Sequence, residues 1–217
     1  MTATVTEGKI RLLESMLESA SRAAVVTHTR PDGDAVGSAA AMTAWLLAHG
    51  LDVRLLLPDS CPDNIRFVMD GTCEGRVLQR DRGPEAVMEW IAGCDLVVGL
   101  DLSGFDRAEG MQETLLASKA RKVLIDHHLL PKEKDFDLVF SETEISSTCE
   151  LLFWILLGTR DAGGDASRLP MPILRALLTG MTTDTNNFAN SVFPSTFEMA
   201  SLMLAAGVDR DAVINEI

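Results

Sequence analysis

Apolar residues along the chain follow two rhythms: short uninterrupted runs, and longer stretches where they recur at helical spacing. Ile10, Leu12, Leu13, Met16 and Leu17, with charges between them, predict an amphipathic helix over Glu7 to Ala20. A run ending at Val25 and Val26 predicts a buried strand, broken at Pro31 and Gly33. From Ala35 to His49 the spacing predicts a helix closed by Gly50, and Gly37, Ser38, Ala39, Ala40 and Ala41 would let it pack closely on a sheet. Val53 to Leu57, ended by Pro58, reads as a strand, and Pro62, Asp63 and Asn64 turn into a short helix near Ile65 to Met69. Val77 falls in an extended segment, and a helix follows Pro84 over Glu85 to Ala92.

Three more apolar runs, Asp95 to Leu100, Lys122 to Ile125 and Leu138 to Phe140, predict strands. Helices are predicted over Glu150 to Leu157, Pro172 to Leu178, Pro194 to Ala206 and from Asp209 onward, with a loop over Gly158 to Arg168 and a break at Gly207. Strands separated by helices predict an α/β fold: a mostly parallel sheet with helices on both faces and functional groups at the carboxyl edge of the strands. There is no internal repeat and no low-complexity segment.

At 217 residues, 47% of them hydrophobic and 24% charged, the chain can bury a full core as one domain without disulfides. A net charge of −13 argues against coating a long duplex nucleic acid, although bound cations can reverse the sign locally. Cys61, Cys73, Cys94 and Cys149 form no CxxC pair and read as buried or free thiols of a reducing compartment. No run is apolar enough to span a membrane and the start carries no apolar leader, so the expected location is cytoplasmic, without membrane partners.

The chemistry-bearing residues sit where the strands end. After the run at Val25 come His28, Asp32 and Asp34 in VVTHTRPDGDAVGS. Each has an ordinary reading, Asp34 directly before Ala35 as an N-cap and His28 as a surface histidine. The construction recurs, however. DLVVGL delivers Asp101, the next strand delivers Asp126, His127 and His128, and Asp184 stands in TTDT. Mixed imidazole and carboxylate donors suit manganese or another first-row divalent ion rather than magnesium or calcium. Ser146, Ser147 and Thr148 before a helix favour a cap over a substrate contact, and Asn186 and Asn187 read as turn residues. Trp45, Trp90 and Trp154 fall in apolar helical patterns and read as core.

With THTRPDGDAVGS, GLDLS, IDHH and TTDT in this order, the sequence resembles the DHH phosphoesterase superfamily, in particular its RecJ-like and nanoRNase/pAp-phosphatase members. The four motifs span His28 to Asp184. The resemblance implies a DHH domain in which His28 and Asp32 hold one divalent cation, Asp34, His127 and Asp184 a second, and Asp101 both. It implies manganese as the usual ion, His128 as a catalytic contact to the scissile phosphate, and Asp126 as the group that orients a neighbouring imidazole. A similar hydroxyl-rich helix start lies near the site in the family, so Ser146, Ser147 and Thr148 stay open as substrate contacts. Two cations about 3.5–4 Å apart activate water directly, so no Ser or Cys nucleophile is required.

The expected activity is hydrolysis of short oligonucleotides, or of the 3′-phosphate of pAp-type nucleotides. Cleavage of a cyclic dinucleotide or its linear product is the alternative, and a catalytically silent binding domain the reading from another class. The longer relatives carry a GGGH-like motif in a following substrate-gripping domain, which residues 1–217 lack. Residues 207–217 are accordingly expected to begin a linker to such a domain, with metal binding surviving in its absence and turnover poor. A short nucleotide is the expected partner. No oligomeric state follows, a homodimer being among those open.

Overall fold

The computed structural model describes residues 4–217. Six strands form one sheet in the order β3-β2-β1-β4-β5-β6, every neighbouring pair parallel: β1 Arg22–Val26, β2 Asp52–Leu57, β3 Val77–Gln79, β4 Leu96–Leu100, β5 Arg121–Asp126 and β6 Leu138–Ser141. The helices are α1 Glu7–Glu18, α2 Gly33–Ala48, α3 Pro84–Ala92, α4 Gln112–Ala117, α5 Thr148–Leu157, α6 Met171–Asp184, α7 Pro194–Ala205 and α8 Arg210–Glu216. Among the described residues, no helix is long and apolar enough to cross a membrane.

Strand residues alternate between two cores. Val25, Leu55, Val98 and Ile125 pack with α1, α2, α5 and α6, while Ala24, Val26, Val97 and Leu124 face Val87 and Ile91 of α3 and Leu115 of α4. Because both faces are covered, the central strands are apolar throughout and show no period of two in the sequence. From β1 the chain first winds outward through β2 and β3, then crosses to β4 and winds the other way. The carboxyl ends of β1 and β4 therefore border the crevice where an open parallel sheet places its ligand.

The predicted elements are present with shifted boundaries, α5 for instance beginning at Thr148 rather than Glu150, and α4 is a short helix that the spacing did not predict. Residue Val77 belongs to a true edge strand, β3, pinned to β2 by its ladder. Helix α2 begins at Gly33 rather than Ala35, and its N-cap is Asp32, whose carboxylate accepts from the Ala35 N–H at 3.1 Å. Helix α6 runs six residues past Leu178, to Asp184. Thr179, Gly180, Thr182 and Thr183 are weak helix formers, but packing against α2 overrides propensity here.

That packing is close. A Cβ at Gly37 would lie 2.7 Å from the Ala176 carbonyl oxygen, and one at Gly180 would lie 2.3 Å from Cys149 Sγ and 3.0 Å from both Asp34 Cα and the Gly33 oxygen. Gly180→Ala should gain somewhat under 1 kcal/mol in helix propensity and lose about 1–3 kcal/mol to overpacking. Backbone atoms form part of the obstruction, so the loss wins. A lowered thermal midpoint is expected, and an unchanged or raised one would show that the two helices can separate freely.

At the chain's end, α8 docks through buried Val213, and Arg175 of α6 donates to Glu216 at 2.7 Å.

Candidate metal centre

The loop after β1 carries His28, which is 6% exposed. Its Nδ1 donates to the Thr29 carbonyl at 2.9 Å, so Nε2 is the nitrogen left to face Asp101 Oδ2 at 3.3 Å and Asp32 Oδ1 at 3.9 Å. Burial lowers the His28 pKa, but the hydrogen bonds to Asp101 and Thr29 outweigh it and the net shift is upward.

Asp34, in the first turn of α2, is buried. Its two oxygens accept from the N–H groups of Thr148 at 2.7 Å and Cys149 at 2.8 Å. These are the first two residues of α5, so the carboxylate lies on unsatisfied helix donors and the positive end of a helix dipole. Burial, with the charges of Asp101 and Asp184 added, still holds the Asp34 carboxyl well above the usual range.

Asp101 follows β4 with a left-handed φ of +58°. Its N–H donates to Ile125 O at 3.1 Å, which ties the bend to β5. One oxygen, Oδ2, faces His28, while Oδ1 lies 3.5 Å from His127 Nε2 and accepts from Thr148 Oγ1 at 3.0 Å. Desolvation opposes its charge, yet the three surrounding imidazoles, led by His28, hold its carboxyl below the usual range.

From the end of β5, His127 directs Nε2 toward Asp34 Oδ2 at 3.8 Å and Asp184 Oδ2 at 3.6 Å, in addition to Asp101. Desolvation raises the Asp184 carboxyl, with nearby His127 opposing the shift. Next to it, His128 Nδ1 is 2.9 Å from Asp126 Oδ1 and 3.4 Å from Asp101 Oδ1. The Asp126 hydrogen bond dominates, and the His128 pKa is raised. Asp126 is itself buried, its other oxygen without a partner among the described residues.

The six residues His28, Asp32, Asp34, Asp101, His127 and Asp184 thus converge, in two groups that meet at Asp101. His28, Asp32 and Asp101 present donor atoms within 4.8 Å of one another, and so do Asp34, His127 and Asp184. None of the four carboxylates has a lysine or arginine within 4.0 Å among the described residues. Asp34 and Asp101 are buried, Asp184 is partly exposed and Asp32 is exposed; the two buried like charges without such partners are costly unless a cation accompanies them. The donor set therefore fits a divalent metal.

Ser146, Ser147 and Thr148 are buried beneath this centre. Ser146 Oγ donates to Glu150, Ser147 Oγ caps α5 by accepting the Glu150 N–H at 3.0 Å, and Thr148 Oγ1 is taken by Asp101. The sequence reading did not anticipate the hold of α5 on Asp34 and Asp101. The Ser-x-x-Glu spacing of Ser147 and Glu150 marks a helix start, but nothing local shows which carboxylate that start receives. Left-handed φ values at Arg30, Asp101, Ser103 and Leu130 place strained bends in the loops after β1, β4 and β5. Such conformations persist where the surroundings over-determine them, typically at functional sites. In the loop after β4, Asp106 pairs with Lys132 at 3.0 Å.

Comparison with known proteins agrees with this architecture. A crystal structure of an exopolyphosphatase-related protein from Bacteroides fragilis matches with a TM-score of 0.89 at 29% identity, covering all of this chain and 62% of that one. Exonuclease RecJ bound to manganese shares the fold, with a TM-score of 0.57 at 21% identity, over 94% of this chain and 49% of that one. The cyclic-di-AMP phosphodiesterase PdeA of Listeria monocytogenes is 24% identical over 201 residues, which are 91% of this chain and 30% of that protein. This chain thus spans under a third of that relative's length. The model of the DHH family's N-terminal domain matches residues 22–181, a span that runs from β1 into α6 and takes in every residue of the centre except Asp184. The chain belongs to the DHH family.

Proposed function

We propose that this domain hydrolyses phosphate esters of short nucleotides with two divalent cations, manganese being the fitting ion. His28, Asp32 and Asp101 would hold one, and Asp34, Asp101, His127 and Asp184 the other. The observation that carries this reading is the Asp101 carboxylate, whose separate oxygens face His28 at 3.3 Å and His127 at 3.5 Å. Cations bound there would neutralise phosphoryl charge and lower the pKa of water. The binding of manganese by a RecJ of the same fold supports the choice of ion.

The chain's own residues do the rest. His28 is fixed by the Thr29 carbonyl in the tautomer whose Nε2 can coordinate. Asp34 is held in place by two α5 N–H groups, which favour its anion, while burial and the charges of Asp101 and Asp184 oppose it. His128, half-exposed and anchored at Nδ1 by Asp126, keeps Nε2 for a phosphoryl oxygen. Its raised pKa favours the protonated ring, which can donate to that oxygen.

Linear dinucleotides and pAp-type nucleotides are the leading substrates. Cyclic dinucleotides are the second reading, favoured by the similarity to the Listeria phosphodiesterase. Incubating the full-length protein with manganese and each of the three separates them. Mononucleotide from the linear dinucleotide, or phosphate from the 3′-phosphate, is the expected result. Ring opening alone would favour the second reading, and no release from any of the three would favour a binding domain.

A further inference from the structure

Beneath the centre lies a buried carboxylate that the chemistry above does not use. Glu150, in the first turn of α5, is fully buried and is surrounded by donors. Its Oε2 accepts from the Ser146 N–H at 3.1 Å, from Ser146 Oγ, and from Thr196 Oγ1 at 2.7 Å; its Oε1 accepts from Trp154 Nε1 at 3.3 Å. Thr196 belongs to the first turn of α7, where the same hydroxyl accepts the Phe193 N–H at 3.0 Å.

In an ordinary capping box the glutamate would reach back to the N–H of the cap residue, here Ser147. Glu150 instead takes the N–H of Ser146, one residue earlier, and so grips the segment leading into the helix as well as the helix itself. That segment sets where the helix's first N–H groups point. Two of them, Thr148 and Cys149, hold both oxygens of Asp34, and the Thr148 hydroxyl holds Asp101.

We propose that Glu150 is a positioning residue for the metal centre: linked to α7 through Thr196, it fixes the start of α5 so that Asp34 and Asp101 are presented together as ligands. This rests on the two-cation reading above. A glutamate chosen only to fill space would be an expensive choice, since a buried charge is tolerated only when fully hydrogen-bonded. Residues that orient ligands from behind typically change metal affinity by about 10–100-fold when replaced.

The test is Mn2+ titration of the full-length protein, followed by the electron paramagnetic resonance of the free ion, beside thermal melts of the metal-free forms. Wild type should bind. Glu150→Gln, whose amide turns a donor toward groups that are themselves donors, should weaken binding about ten-fold or more. Thr196→Val should weaken it by a smaller factor, and Thr196→Ser, which keeps the hydroxyl, should restore it. If Glu150→Gln fails to fold, the two Thr196 variants decide. Lower melting temperatures with Mn2+ affinity within two-fold of wild type would overturn the positioning role and leave Glu150 merely structural. Failure of the wild type to bind Mn2+ is a separate result, which would overturn the two-cation reading itself.

Discussion

Asp101→Asn is expected to fold normally and to turn over a dinucleotide at least about 10³-fold more slowly, a loss on the order of 4 kcal/mol in transition-state stabilisation. The left-handed backbone at this position, with φ +58°, is one that Asn also tolerates. The amide keeps the volume and can still accept from Thr148 Oγ1. What disappears is the charge that lies between His28 and His127. An amide has one neutral oxygen where the carboxylate has two sharing a negative charge, so it cannot serve both groups of ligands. Circular dichroism beside the hydrolysis assay separates misfolding from lost chemistry. Wild-type turnover by this variant would refute the shared role.

Manganese should also raise the melting temperature, and by more at pH 8 than at pH 6. At about a hundred times its dissociation constant, one ion contributes about 2.7 kcal/mol, or roughly 5–10 °C for a domain of this size. The pH dependence comes from groups that must give up a proton. Asp34 has its pKa raised in the folded state, so in metal-free protein it contributes stability that is present below its unfolded value and lost as pH rises through the raised one. His28 is shifted in the same direction and loses its contribution above 6.5, as pH passes its raised value. Asp101 is shifted the other way; its contribution is lost only as pH falls through its lowered value, below this window. Metal-free protein should therefore weaken between pH 6 and 8, while bound cations hold the deprotonated forms. A stabilisation that is flat across this range, or larger at pH 6, would contradict the account.

Much of this architecture was legible because parallel strands covered on both faces are continuous apolar runs, and a polar residue straight after such a run must lie at the sheet's edge. His28, Asp101 and His127 could be placed on that rule alone, and the resemblance supplied the partners. Harder to see was anything decided by packing between distant segments. The sequence of α6 past Leu178 is poor in helix formers, yet α6, packed closely against α2 at Gly37 and Gly180, stays helical as far as Asp184. The choice of Asp32 over Asp34 as N-cap depends on where α5 arrives. Asp34 cannot cap α2 because the N–H groups of Thr148 and Cys149, more than a hundred residues away, already hold it. Glu150 likewise looks like an ordinary capping-box residue until Thr196 is brought against it.

The central claim is that six side chains from four separate segments gather two cations around one aspartate. Anomalous diffraction at the manganese edge from crystals grown with the ion tests it most directly. Two peaks are predicted, one among His28, Asp32 and Asp101 and the other among Asp34, Asp101, His127 and Asp184. A single peak, or peaks away from Asp101, would contradict it.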